Sequence, residues 1–147
     1  MKKHISLIIC LVFLGCGGGE SAQPDVDVTG SWSGSVTTSS NQTLSMHVSL
    51  HQVGTSVSGY FQMGNGVYGN ISGAVSGNSL NAVLTPTSAD CAGAATGTGV
   101  VGKDCPPLSL CFPSINFSYD GVFTGSSACT ESQKGTCQLT WQVILPL

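Results

Sequence analysis

Two histidines, His47 and His51, are the first residues whose type could bind a metal ion. They lie in an alternating segment that predicts a β-strand. Residues four apart on a strand face the same way but are separated by about 13 Å, at roughly 3.3 Å per residue. Two imidazoles so far apart do not reach one ion. The spacing therefore predicts surface histidines and no metal site.

A serine nucleophile needs a positioned base and usually a sharp turn of the form Gly-x-Ser-x-Gly, which the sequence lacks. A hydrolase with paired carboxylates needs two of them in one cleft, and their spacing predicts no such pair. The carboxylates in question fall in predicted loops or turns and are Asp90, Asp104, Asp120 and Glu131. No glycine-rich run precedes a predicted helix, as phosphate binding would need. We therefore expect no catalytic residue, no cofactor and no enzyme activity.

Five cysteines follow the first sixteen residues: Cys91, Cys105, Cys111, Cys129 and Cys137. An odd number leaves at least one of them unpaired. No Cys-x-x-Cys pair or nearby histidine supports a metal site, so disulfides are expected. Cys129 and Cys137 flank a polar turn between the last two predicted strands and are predicted to pair. Cys91 is predicted to pair with Cys111 across a long loop, which leaves Cys105 free.

The first sixteen residues combine a basic start, Met1-Lys2-Lys3, with a short apolar run that ends at Leu14. The run has about ten residues, half of the roughly 20 needed to span a bilayer, and therefore indicates a secretory signal. The junction Leu14-Gly15-Cys16 resembles the lipobox of bacterial lipoproteins. This resemblance implies that residues 1–15 are removed as a signal peptide and that Cys16 carries acyl chains such as palmitate. The alternative is an ordinary secretory signal with an incidental cysteine.

The acyl chains would make a lipid bilayer the first partner of the chain, since several chains together give a stable anchor. Residues 16–27 contain a run of glycines and are predicted to be a flexible tether. By the same resemblance, Gly17 after the cysteine implies sorting to the outer membrane of the cell envelope, with the domain facing the periplasm or the surface.

The chain beyond Cys16 is poor in charge. It keeps two lysines, Lys103 and Lys134, no arginine and seven carboxylates, for a net charge of −5. Binding of nucleic acid needs a basic surface, so we expect no nucleic-acid partner. Its richness in Gly, Ser, Thr, Asn and Val is typical of β-structure with tight turns.

From residue 28 a short unit recurs: an apolar residue, Ser or Thr, Gly, any residue, and a second apolar residue. Val28 to Trp32 and Ile71 to Val75 are two examples. Because strand side chains alternate, the unit places apolar residues and glycine on one face and polar residues on the other. Glycines on the inner face suit a tightly coiled sheet.

This alternation predicts an all-β domain over residues 28–147, an antiparallel up-and-down meander of seven or eight strands closed into a small barrel. The predicted strands are 28–38, 43–52, 55–63, 67–76, 79–86, 114–125 and 136–146. An eighth forms if Asp120-Gly121 is a hairpin turn, whereas otherwise Gly121 marks a bulge. Residues 87–113, which hold three cysteines, are predicted to be a long loop.

Gly30-Ser31-Trp32 resembles the Gly-x-Trp opening of the lipocalin and avidin-like (calycin) barrels. The resemblance implies a carrier with a small apolar ligand inside the barrel, although the arginine that lipocalins stack on this tryptophan is missing. Such a pocket would be lined by an aromatic set on the predicted inner face: Trp32, Phe61, Phe117, Tyr119 and Trp141. Barrels of about eight strands are only just wide enough for side chains, which favours a packed core, and both tryptophans are predicted to be buried.

Three classes of function remain open. First is a membrane-tethered, non-catalytic structural or interaction module of the cell envelope. Its uncharged outer face could hydrogen-bond to a polysaccharide or an envelope protein. Second is the carrier of a small apolar molecule, which a large cavity beneath Trp32 would favour. An enzyme is third, and carboxylates clustered with a histidine would favour it.

Overall fold

The computed structural model describes residues 24–104 and 112–142 of the 147-residue chain. The predicted signal peptide, Cys16, most of the predicted tether, Cys105 and Cys111 lie outside the described residues. Within the described ranges no helix is long and apolar enough to cross a membrane. The strands there are β1 (Gly30–Thr38), β2 (Thr43–Val53), β3 (Ser56–Met63), β4 (Tyr68–Ser76), β5 (Ser79–Pro86), β6 (Cys91–Asp104), β7 (Phe112–Gly125) and β8 (Lys134–Trp141), with a short helix α1 (Ser127–Glu131) before β8.

The eight strands form one closed antiparallel barrel in chain order. Each strand pairs with the next, and β1 pairs with β8 to complete the ring, from Trp32 opposite Trp141 to Thr38 opposite Gly135. Closure pairs both edges of every strand and so protects the sheet from pairing with other chains. The up-and-down barrel predicted from the sequence is confirmed.

Side-chain alternation places the apolar residues inside the barrel, as predicted. In β2, Met46 and Val48 are buried, while His47 between them is exposed. Neighbouring strands continue the same layer, because Val48 lies opposite Trp32 on β1 and opposite Phe61 on β3. Each buried side chain of this kind contributes about 1.5–3 kcal/mol relative to an exposed one. One contiguous core therefore holds the strands together.

The eighth strand comes from the segment predicted to be a long loop, so the loop prediction is wrong for residues 91–104, which form β6, and for 112–113, which begin β7. Residues 105–111 lie outside the described residues. β6 pairs with β7 over the full length of both strands. Its inward positions carry small residues, among them Gly93, Ala95, Gly97 and Gly99. A Cβ at Gly97 or Gly99 would overlap the ring of Phe117. The ring of Phe117 on β7 thus fills the space in front of Gly97 and Gly99. Because the inward residues of β6 are small, hydrophobic alternation alone does not predict this strand.

Gly121 forms neither the predicted hairpin turn nor the predicted bulge. β7 runs through it without interruption, and its register partner on β6 is Ala95. A Cβ at Gly121 would overlap the carbonyl of Ala94 and the backbone of Ala95. The glycine therefore allows the two strands to approach closely.

A strap formed by residues 24–29 crosses one end of the barrel. It starts at the β4–β5 turn, where the Asp25 N–H donates to the Gly77 carbonyl at 2.9 Å. It ends at β1, on the opposite side of the ring, so it spans the mouth of the barrel. Val28 of the strap is fully buried, and its N–H donates to the side-chain carbonyl of Gln52 at 2.9 Å. The strap therefore closes this end.

The other end of the barrel is covered by α1. The side-chain amide of Asn65, in the β3–β4 turn, donates to the Ala128 carbonyl at 3.2 Å and to the Ser132 hydroxyl at 2.8 Å. Cys129 of the helix is fully buried. The helix has only five residues, too few to be stable alone, so these tertiary contacts hold it.

A disulfide joins Cys129 to Cys91, the first residue of β6, with a Cα–Cα distance of 5.6 Å. Both predicted pairs, Cys129–Cys137 and Cys91–Cys111, are therefore wrong. The predicted turn before β8 is instead the helix α1, which carries Cys129 over the barrel end toward β6. Cys137 faces the interior from β8 and is unpaired.

Candidate functional site

Four of the five aromatic residues proposed to line a pocket lie in the barrel interior. These four, Trp32, Phe61, Phe117 and Tyr119, are each at most 6 % exposed. The indole N–H of Trp32 donates to the Val28 carbonyl in the strap at 2.9 Å. The one polar group of this side chain therefore has a hydrogen-bond partner inside the protein. The predicted burial of Trp32 is confirmed.

Trp141 is the exception in this set, and the prediction that it is buried is wrong. It has the inward register of β8 but is 37 % exposed. It is the last residue of β8 and therefore lies at the rim of the barrel. Its indole lies over Gly30, where a Cβ would overlap the ring.

The space left between the core side chains is small. A cavity of about 20 Å³ lies among apolar residues that include Val48, Ile71, Leu84 and Phe117. This is roughly the room that one water molecule needs, whereas pockets for small ligands measure about 300–1,000 Å³. An apolar ligand would enter only if the interior expanded, so the carrier function stays a prediction.

Cys137 lies in a buried cluster with sulfur atoms of two methionines. Its Sγ is 3.2 Å from Met46 Sδ, and the Tyr119 hydroxyl is 4.0 Å from Met63 Sδ. Burial raises the pKa of the Cys137 thiol to about 12. Burial, with a smaller contribution from Cys137, also raises the pKa of the Tyr119 hydroxyl well above its usual range. Both groups stay protonated at neutral pH and act in packing, since the thiolate is the nucleophilic form.

The histidines and the carboxylate Asp120, which could bind a metal or take part in catalysis, do not lie together in one site. His47 and His51 are exposed on the outer face of β2, which confirms the predicted surface histidines. Asp120, predicted in a loop or turn, lies on the outer face of β7, where its carboxylate accepts from Lys134 Nζ at 2.8 Å. Across residues 24–104 and 112–142, no group of three or more His, Cys, Asp and Glu residues could hold a metal ion.

A groove of about 830 Å³ lies on the outer face of the barrel. It crosses β4 to β8 and ends at the β1–β2 turn, and two rows of register partners run along it. The first row is Ser72, Val83, Thr96, Asp120 and Lys134. The second row is Asn81, Thr98, Ser118, Thr136 and Thr37. These ten residues define the hydroxyl groove, which spans six strands from β4 through β8 to β1 and at strand spacings of about 4.8 Å is roughly 24 Å long.

The hydroxyl groove is concave because the strands beneath it approach one another closely. Gly73, Gly97 and Gly135 contribute backbone to its floor. A Cβ at Gly73 would overlap the carbonyl of Asn81 on the next strand, and one at Gly135 would overlap Val36. Gly73 belongs to the recurring unit that was predicted to place glycine on the inner face, whereas Gly97 and Gly135 lie outside the predicted strands. All three suit a tightly coiled sheet.

The groove presents many hydrogen-bonding groups and little charge. Its six hydroxyl side chains and the amide of Asn81 can each donate and accept. Asp120 and Lys134 stand at one end and neutralise each other, and the hydrogen bond from Lys134 to Asp120 raises the pKa of the lysine. Such a surface can bind an uncharged partner rich in hydroxyls or amides, without electrostatic steering.

The sequence alone does not distinguish these side chains from other solvated polar residues. The available signal was Thr96-Gly97-Thr98, which alternates as a strand does but lay in the segment predicted to be a loop. Comparisons with protein-family models, with curated proteins and with solved structures give no match.

Proposed function

We propose that this chain is a lipid-anchored, non-catalytic module of the bacterial cell envelope that binds an uncharged partner through the hydroxyl groove. The groove itself carries the proposal. It combines a concave surface of about 830 Å³ with walls of Ser and Thr hydroxyls. The partner is an envelope polysaccharide or an envelope protein whose hydroxyls or amides face these side chains.

The anchor is supported by the amino-terminal sequence and by the position of the strap. Leu14-Gly15-Cys16 follows a basic start and a short apolar run. The strap begins eight residues after Cys16 and closes one end of the barrel. An outer-membrane anchor at Cys16 would therefore join the domain at its strap end and leave the groove, on the side wall, accessible.

The non-catalytic character is supported by the state of the reactive side chains. The Cys137 thiol is buried and protonated, and Asp120 is paired with Lys134. His47 and His51 are surface residues on β2. These groups are separated in the barrel and do not form the nucleophile and base that acyl or glycosyl transfer requires.

Loss of the anchor is the first expected result. The variant Cys16→Ala should move from the membrane fraction to the soluble fraction of the envelope, because it removes the thiol that would carry acyl chains. Fractionation and intact-mass measurement of the wild-type chain and the variant check this. Cys137→Ala is the matched control and should stay with the membrane. A Cys16→Ala protein that remained in the membrane fraction would show that the anchor is elsewhere.

Loss of binding on charging the groove is the second expected result. Thr98→Lys adds an ammonium to the second row, opposite Ser118, and should weaken binding about tenfold or more. The measurement is sedimentation of soluble Cys16→Ala protein with cell-envelope fragments, before and after protease digestion of the fragments. Ser35→Lys adds the same charge on an exposed outward position of β1 outside the groove and should bind normally. Equal binding by both lysine variants, or by neither, would contradict the proposal.

A further inference from the structure

Five consecutive strands of the barrel carry no formal charge. Residues 28–89 contain no Asp, Glu, Lys or Arg, and the nearest charged positions are Asp27 and Asp90. These residues form β1 to β5. We call these five strands the neutral half of the barrel. Its outer face has no Asp, Glu, Lys or Arg side chain, and its titratable groups include two histidines, His47 and His51.

Two of the three tyrosines of the chain are exposed on this neutral half. Tyr60 on β3 is 59 % exposed and Tyr68 on β4 is 48 % exposed. Tyr60 lies opposite Asn70, and Gln62 lies opposite Tyr68. The four residues thus form a square in which the two tyrosines occupy one diagonal and the two amides the other. We call these four residues the tyrosine–amide patch.

The amides of the patch are not used to hold the fold. Among the described residues, no hydrogen bond involves the side chains of Gln62 or Asn70. Two other amides of the same half have structural roles, because Gln52 binds the strap and Asn65 binds α1. The patch therefore presents two free amides, each with donors and an acceptor, beside two exposed rings.

The tyrosine–amide patch adjoins the hydroxyl groove. Asn70 of the patch and Ser72 of the groove are two residues apart on the outer face of β4. Asn70 also lies opposite Thr85 on β5, so polar side chains continue from the patch toward the groove. One polar surface thus extends from β3 to β8, with aromatic rings at one end, hydroxyls along the rest, and the ion pair of Asp120 and Lys134 as its charged groups.

This combination fits a sugar ring. One face of a pyranose is lined by C–H bonds, which pack on the electron-rich face of a tyrosine ring, while the hydroxyls at its edge can bond to amides on both sides. Tyr60 and Tyr68 lie at diagonal positions of adjacent strands, about 7–8 Å apart by general strand geometry, and could contact neighbouring sugars of one chain. An acidic glycan would find no cation among β1 to β5.

We propose that Tyr60 and Tyr68, with Gln62 and Asn70, form the sugar-stacking subsite for a neutral polysaccharide whose chain continues into the hydroxyl groove. This inference rests on the proposed function and names the class of partner. The rings supply contact area at low conformational cost, and the groove extends the contact along the chain.

Affinity electrophoresis of the Cys16→Ala protein tests the subsite. The probes are three soluble neutral polysaccharides, hydroxyethyl cellulose, dextran and galactomannan, with alginate as the anionic comparison. The protein should be retarded by at least one neutral polysaccharide and not by alginate. Tyr60→Ala combined with Tyr68→Ala should weaken that retardation about tenfold or more, whereas Tyr60→Phe with Tyr68→Phe should retain most of it.

Val53→Ala is the matched control, since it removes an exposed apolar side chain outside the patch and should not change retardation. Unfolding midpoints of all variants are measured, because the exposed positions should leave them unchanged. Retardation by alginate alone, or equal retardation of the Ala and wild-type proteins, overturns the inference. If the Ala variant still sediments with envelope fragments while Thr98→Lys does not, the subsite is wrong and the proposed function stands. The Cys16→Ala protein without further substitutions provides the last outcome. If it neither sediments with envelope fragments nor is retarded by a neutral polysaccharide, the subsite and the proposed function are both wrong.

Discussion

Replacing Trp32 with Ala is expected to lower the free energy of unfolding by about 3–5 kcal/mol, the usual cost of truncating a buried aromatic residue. Trp32 is among the largest side chains in the core and lies in the same layer as Val48 and Phe61. The substitution also removes the indole N–H that donates to Val28, so the strap loses a contact. Urea unfolding followed by circular dichroism measures the effect.

Trp141→Ala is the matched control for this prediction. Its ring lies at the rim of the barrel and is 37 % exposed, so its removal should cost about 1 kcal/mol, near the centre of the distribution for point substitutions. Equal losses for the two tryptophans would mean that the rim of the barrel contributes as much as the core, and would contradict the packing described here.

Removing the disulfide is expected to have an effect of similar size. Cys91 and Cys129 are separated by 38 residues in sequence, and chain-entropy estimates for a loop of this length give roughly 4 kcal/mol. The double variant Cys91→Ala with Cys129→Ala should lose about that much stability. Loss of hydrogen-exchange protection should be greatest in α1, because the bridge holds the helix against the start of β6. Denaturant unfolding and hydrogen exchange measure the two effects.

Cys137→Ala is the control, because it makes the same chemical change at a buried cysteine that forms no disulfide. It removes one sulfur atom from the core and should cost less than half as much as the double variant. A Cys137→Ala protein as unstable as the double variant would assign the effect to packing and not to the covalent bond.

Hydrophobic alternation was sufficient to predict seven of the strands. β5 occupies the predicted residues 79–86, and β3 differs from the prediction by one residue at its start. In these strands most inward positions carry either a large apolar residue or a glycine, and Ala82 of β5 is one of the exceptions. The first strand was predicted from residue 28 and begins at Gly30, because Val28 belongs to the strap and fills the mouth of the barrel.

Most of the features that the sequence did not predict depend on partners distant in the chain. β6 pairs with β7 along its whole length, and the ring of Phe117 on β7 fills the space above Gly97 and Gly99. The helix α1 is too short for a periodic pattern and is held by Asn65, 63 residues away. That helix in turn decides which cysteine meets Cys91. The hydroxyl groove needs the register of six strands, so no single segment reveals it.

The strap also determines how mechanical load would enter the domain. In a chain held at its amino terminus, a pull reaches residues 24–29 before it reaches any strand. The bond from Asp25 to Gly77 and the bonds at Val28 are arranged in series, so they would be peeled apart one after another. β1 is paired on both sides, with β2 and with β8, and its ladders would be loaded in parallel and resist together. Tension at the amino terminus would therefore pull Val28 out of the mouth of the barrel and open this end, while the ring of strands remained closed.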